Sequence, residues 1–169
     1  MKKKIAILGS TGSIGRTLLN ILDKDKKNFE IILLTADKNI QELLKQIKKF
    51  NVKNIIVTNI DKFLIIEKHL ENKNINVYNN FTSINKIFKN KKIDYTMNAV
   101  SGIAGLNPTL KIIRFTKNIA IANKEAIICG WFLIQNQLKK FKTKFIPIDS
   151  EHFSIWSLIE KAKDKDIEK

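Results

Sequence analysis

Short apolar runs alternate with longer amphipathic stretches along the whole chain. Continuous apolar runs of strand length occur at 4–9 (KIAILG), 30–36 (EIILLTA), 54–58 (NIIVT), 75–79 (INVYN), 94–100 (DYTMNAV), 118–122 (NIAIA) and 145–149 (FIPID). Between several of them apolar residues recur at spacings of three and four, as in SIGRTLLNILDK, NIQELLKQIKKF, DKFLIIEKHLEN and KEAIICGWFLIQNQLKKF, which is the period of a helix with one buried face. Strands that are apolar on both faces and joined by helices belong in a parallel sheet covered on both sides. The pattern therefore predicts an α/β fold: a Rossmann-like, doubly wound, mainly parallel sheet with helices on both faces and right-handed crossovers. Pro108 stands where a helix can start, and Pro147 makes the last strand an edge or a bend, because proline cannot donate to a ladder.

The first apolar run leads straight into GSTGSIGRTLL, with Gly9, Gly12 and Gly15 three residues apart. Glycines between a first strand and a first helix let the backbone turn sharply, approach a pyrophosphate and pack the helix, whose N-terminal amides then face the anion. The spacing is GxxGxxG rather than GxGxxG, so the context of strand, turn and helix carries more weight than the motif itself. A ligand-free glycine turn is the competing explanation. The GK[ST] ending of a P-loop is absent. The second strand ends in TADKN, where Asp37 sits about 20 residues past Gly15, the place from which an acidic residue takes the ribose hydroxyls of NAD. Lys38 beside it would suit the 2′-phosphate of NADP instead, and the residues alone leave both open.

Composition adds bounds. A chain of 169 residues with 44% hydrophobic residues spread over its length is a globular protein with room for one proper core and a small appendage. No apolar run approaches the roughly 20 residues of a membrane span, and the basic start MKKKIAILGS has too short an apolar run for a secretory signal, so a cytoplasmic protein is expected. The formal charge of +15 raises the alternative of a basic nucleic-acid-binding module. Against it, the cations are almost all lysine, with Arg16 and Arg114 the only arginines, and they are scattered over every predicted helix. No nucleic-acid partner is expected. Cys129 is the single cysteine and is expected to be a small buried side chain. His69 is expected at the surface, and Trp131 and Trp156 in the core or an interface.

Four segments occur in one order: GSTGSIG (9–15), SGIAGLNPTL (101–110), IANKEAIICG (121–130) and PIDSEHFSI (147–155). Together they resemble the N-terminal part of the 1-deoxy-D-xylulose 5-phosphate reductoisomerases, over essentially the whole chain. The resemblance implies an NADPH-dependent enzyme that uses Mg²⁺ or Mn²⁺ to rearrange and reduce 1-deoxy-D-xylulose 5-phosphate, a phosphosugar, to 2-C-methyl-D-erythritol 4-phosphate. It implies a cofactor domain at 1–147 and the start of a catalytic domain at 148–169, a chain inactive alone, and a homodimer at full length. Carried over residue by residue, it assigns Thr11, Gly12, Ser13 and Ile14 to the cofactor phosphates, with Gly9 and Gly15 in the same cofactor-binding loop, and Lys38 and Asn39 to the adenosine ribose. Asn123 and Glu125 line the nicotinamide half, and Lys124 reaches the substrate as a catalytic residue. Asp149 and Glu151 become metal ligands, with Ser150 and Glu151 meeting substrate. The family usually has glycine where this chain has Asp37.

The residues themselves admit simpler roles. In extended backbone Asp149 and Glu151 face the same way and suit one hard cation, but DSE also reads as a helix N-cap. Asn123 before KEA likewise reads as a cap, with charges in the first turn. Another NAD(P)-dependent oxidoreductase would keep the glycine loop, but it gives no reason for NKE and DSEH.

Overall fold

The computed structural model describes residues 1–89, 91–148 and 150–159, the last stretch as backbone alone for Ser150, Glu151, His152, Ile155 and Trp156. Seven strands form one sheet: β1 (Lys3–Leu8), β2 (Phe29–Ala36), β3 (Asn54–Val57), β4 (Asn76–Tyr78), β5 (Ile93–Asn98), β6 (Thr116–Ile121) and β7 (Lys144–Pro147). Each falls on one of the seven apolar runs. The spatial order is β4-β3-β2-β1-β5-β6-β7, and every neighbouring pair is parallel. The strand bearing Pro147 is an edge, as expected.

The helices are α1 (Ser13–Asp23), α2 (Ile40–Phe50), α3 (Ile60–Leu70), α4 (Ile84–Phe88), α5 (Leu106–Ile112), α6 (Lys124–Phe141) and α7 (Ser150–Ile159). Alternation along β1 divides the core in two. Ile5 and Ile7 pack with Leu19 and Leu22 of α1, Leu43 and Ile47 of α2, and Ile66 and Leu70 of α3. Ala6 and Leu8 face the other way, toward Ile87 and Phe88 of α4, Ile112 of α5, and Ile134 and Leu138 of α6. The period of two in the strand and of three to four in the helices thus produces a layer of helices on each face. Between β4 and β5 the chain changes both direction along the sheet and face. The strand order therefore reverses beside β1, and a crevice opens between β1 and β5 at the carboxyl edge, the usual ligand position in open α/β sheets.

Two expectations change. The periodicity gave no separate α4, whose five residues are too few to show a period. Cys129 is exposed rather than buried. The inward face of α6 is Ala126, Gly130, Ile134 and Leu138, a strict i, i+4 row, and Cys129 falls outside that row. The outward side of the same helix carries Ile128 and Phe132, while Trp131 sets its ring edge-on against Phe145 of β7 at 5.6 Å. His69 lies at the surface, as expected.

Candidate functional site at the carboxyl edge of the sheet

The glycine loop turns directly off the end of β1. Gly9 has φ +75°, in the left-handed region, and a Cβ on it would stand 2.7 Å from the Ala99 carbonyl oxygen just past β5. Gly15, in the first turn of α1, leaves no room either, since a Cβ there would meet Gly9 O at 2.5 Å and Ser10 Cα at 2.6 Å. These two glycines let the helix start close against the turn. Gly12 differs. Its backbone is ordinary extended chain, φ −75° and ψ 173°, and an added Cβ would touch only Gly9 O at 3.5 Å, a normal contact.

The loop is held from below. The Gly9 amide donates to Thr35 Oγ1 at 2.9 Å, and the Ser10 amide and hydroxyl donate to the Thr35 carbonyl at 2.8 and 3.2 Å. Gln46, buried on α2, donates from Nε2 to Ser10 O at 3.0 Å. Thr35 and Gln46 were not singled out in the sequence, although both are polar residues placed within apolar patterns.

The start of α1 is uncapped. Gly12 has no side chain to offer and no acidic residue lies in the first turn, whereas Asn39, Asn59 and Asn123 accept the Glu42, Lys62 and Ala126 amides at the heads of α2, α3 and α6. Thr11 is half-buried, and Gly12, Ser13 and Ile14 are exposed around this bare end. The positive end of the helix dipole therefore meets open space beside the loop.

To one side lie Asp37, Lys38 and Asn39, all exposed at the end of β2. Asn39 Oδ1 accepts the Glu42 amide at 3.1 Å, which leaves its Nδ2 group as what it can offer a ligand. Asp37 accepts from the Thr58 hydroxyl at 2.8 Å. To the other side a cleft of about 280 Å³ is walled by Ile14, by the Ala99–Gly102 stretch after β5, and by Ala122, Asn123, Lys124 and Glu125 where β6 enters α6. Asn123 is buried; Oδ1 caps α6 through the Ala126 amide at 2.8 Å, and Nδ2 donates to the Val100 carbonyl at 2.6 Å. The cap expected from the residues alone is thus present, and the same side chain ties the β6 end to the β5 loop. Lys124 and Glu125 are exposed on the first turn of α6.

The glycine loop, Lys38 with Asn39, and Asn123 to Glu125 therefore share one edge of the sheet. Asp149 lies outside the described residues. Ser150 and Glu151 open α7, and their side chains are likewise outside the description. Among the described residues no three His, Cys, Asp or Glu side chains stand together as a metal site, and no helix is long and apolar enough to cross a membrane.

Comparison with known proteins agrees with this fold. A family model described as 1-deoxy-D-xylulose 5-phosphate reductoisomerase matches residues 5–130. The enzyme of that name from Pelagibacter ubique is 62% identical over 168 residues, covering 99% of this chain and 43% of the relative. The chain thus spans less than half the length of that relative. Among solved structures, the reductoisomerase from Zymomonas mobilis in complex with NADPH superposes with a TM-score of 0.81 at 28% identity, over 90% of this chain and 40% of that one. A reductoisomerase in complex with NADPH, fosmidomycin and magnesium gives 0.81 at 28% identity, over 89% of this chain and 37% of that one. A hyperthermophilic archaeal homoserine dehydrogenase, TM-score 0.53 at 16% identity, shares the fold alone. By the matched family model, which covers residues 5–130, the chain belongs to the 1-deoxy-D-xylulose 5-phosphate reductoisomerase family.

Proposed function

We propose that the chain is the cofactor-binding part of a reductoisomerase acting on 1-deoxy-D-xylulose 5-phosphate, and that it takes NADPH along the carboxyl edge of its sheet. The observation that carries the reading is Gly12. A glycine-rich turn without a ligand explains Gly9 and Gly15, whose Cβ atoms would collide with backbone, but it does not explain Gly12, where a side chain would fit. Gly12 is the N-cap of α1, and a side chain at an N-cap lies over the first amides of its helix, the space that a pyrophosphate would need.

On this reading the phosphates lie over Thr11, Gly12, Ser13 and Ile14. Lys38 and the Nδ2 group of Asn39 meet the adenosine ribose and its 2′-phosphate. The nicotinamide end enters the cleft between Ile14 and the head of α6. Asn123 lines that cleft and is fixed in it by its bonds to the Ala126 amide and the Val100 carbonyl. Glu125 lines the cleft, and Lys124 reaches toward substrate. NADPH, when bound, supplies the hydride.

Residues 1–147 form the cofactor domain and 148–169 begin the catalytic one. The assignment of Mg²⁺ or Mn²⁺ to Asp149 and Glu151, and of substrate contacts to Ser150 and Glu151, rests on family membership. A homodimeric full-length enzyme and a cytoplasmic location rest on the same ground. Calorimetric titration with NADPH and with NADH tests the proposal. NADPH is expected to bind more tightly; tighter NADH binding overturns the cofactor choice, and no binding of either overturns the reading.

A further inference from the structure

Asn98 is the last residue of β5 and is fully buried, an uncommon place for a carboxamide. Every hydrogen-bonding group of its side chain is used. Oδ1 accepts the Val100 amide at 3.1 Å, and Nδ2 donates to Gly105 O at 2.8 Å and to Thr109 Oγ1 at 2.6 Å. Thr109, also fully buried, closes the ring by donating its hydroxyl to the same Gly105 carbonyl at 2.8 Å. One side chain therefore grips both feet of the loop from Val100 to Gly105.

That loop is one wall of the cleft, through Val100, Ser101 and Gly102. The Val100 carbonyl is in turn bonded by Asn123, whose amide packs into the space that a side chain at Gly105 would need. At its crest Gly102 takes φ +67° with nothing within 4 Å of a Cβ position, so the crest has no packing of its own there to fix it. One bond lies within the loop, from the Gly105 amide to the Gly102 carbonyl at 3.1 Å, and the side-chain bonds hold it at its feet. A buried, fully satisfied polar network fixes one geometry where an apolar contact would tolerate several.

We infer that Asn98, with Thr109, is a positioning residue for the nicotinamide half of the cofactor: it touches no ligand itself but holds the Val100–Gly105 loop in the shape that forms the cleft wall. The inference rests on the proposed cofactor reading. It separates the two halves of the site, since the hydrogen bonds that hold the glycine loop and the Lys38 turn come from Thr35, Gln46 and the cap of α2, and none of them involves the Asn98 side chain.

The test compares NADPH with adenosine 2′,5′-bisphosphate, which has the adenosine half and lacks the nicotinamide, by calorimetry on the full chain. The variants are Asn98→Asp, which keeps the shape and removes both donors, Thr109→Val, and Thr109→Ser, which keeps the hydroxyl. Asn98→Asp is expected to weaken NADPH about tenfold or more while the bisphosphate affinity stays within about twofold. Thr109→Val should show a smaller selective loss, and Thr109→Ser should bind like the unaltered chain. Parallel loss of both ligands by Asn98→Asp and Thr109→Val, or unchanged NADPH binding by either, overturns the inference. If Asn98→Asp does not fold, the Thr109 pair decides alone. Failure of the unaltered chain to bind NADPH is a separate result and counts against the cofactor reading itself.

Discussion

The hydroxyl of Thr58, at the end of β3, donates to the carboxylate of Asp37, at the end of β2, at 2.8 Å. The bond ties the one acidic residue in the TADKN turn toward β3, away from the glycine loop on β1, since β2 lies between those strands. It gives a physical account of how a carboxylate is accommodated beside Lys38.

Two substitutions follow from that bond. Thr58→Val should free the carboxylate and weaken NADPH binding, because a unit charge about 4 Å from a phosphate costs roughly 1 kcal/mol even at the dielectric of water. Asp37→Gly should raise NADPH affinity several-fold and abolish the effect of Thr58→Val. Titrating the single and double variants with NADPH checks both, and an effect of Thr58→Val that persists in the Asp37→Gly background would show that Thr58 acts otherwise.

Two of the glycines set the fold rather than the ligand. Gly15→Ala would press a methyl group against the Gly9 carbonyl and Ser10 backbone, and Gly9→Ala would add left-handed strain and a clash with Ala99. Each should lower stability by about 1–3 kcal/mol, seen as a lower midpoint in denaturant with NADPH absent.

At the opposite edge of the sheet Asp94 accepts from Lys117 Nζ at 2.7 Å and from the Lys4 amide at 2.8 Å. The Lys117 bond first, and then the Lys4 amide, hold its carboxyl below the ordinary carboxylate range. A carboxyl depressed in the folded state contributes stability that is present above its unfolded pKa of about 3.9 and is lost as pH falls through the lower folded value. Asp94→Asn should therefore be less stable than the unaltered chain at neutral pH, with the gap closing below about pH 4. A gap that is constant from neutral to acid conditions would contradict the assignment.

Turnover is expected to need more polypeptide than this chain supplies. A hard divalent cation takes about six oxygen ligands, of which Asp149 and Glu151 would, on the proposed assignment, offer two side chains. NADPH oxidation in the presence of 1-deoxy-D-xylulose 5-phosphate and Mn²⁺ should be absent with the chain alone. It should appear when the part of a full-length relative outside the match is added, and disappear again with Asp149→Asn or Glu151→Gln. Clear turnover by the chain alone would refute this division.

The strands were legible because each is an apolar run bounded by polar residues, and a parallel sheet covered on both faces demands that composition. The glycine loop was legible because turn geometry leaves glycine no substitute at Gly9 and Gly15. The props beneath the site were harder to see. Thr35, Gln46 and Asn98 each look like a polar interruption of an apolar pattern, and only the fold reveals that their partners lie 26, 36 and 7 residues away in the chain. Asn123 looked like either a cap or a ligand-binding residue; the structure shows the cap and adds the bond to Val100, which no local pattern encodes. Cys129 is exposed although its residue type favours burial, because its place on α6 falls outside the inward row.

Gly12 remains the place where fold and ligand make different demands. The most direct measurement is NADPH binding by the unaltered chain and by Gly12→Ala, with thermal melting of both recorded without ligand. The account predicts that the two melt alike, since a methyl group at Gly12 meets only one atom at an ordinary 3.5 Å, and that the variant binds NADPH at least about tenfold more weakly because the methyl stands in the path of the pyrophosphate. Equal NADPH affinity in the two proteins, or no binding by the unaltered chain, would contradict it.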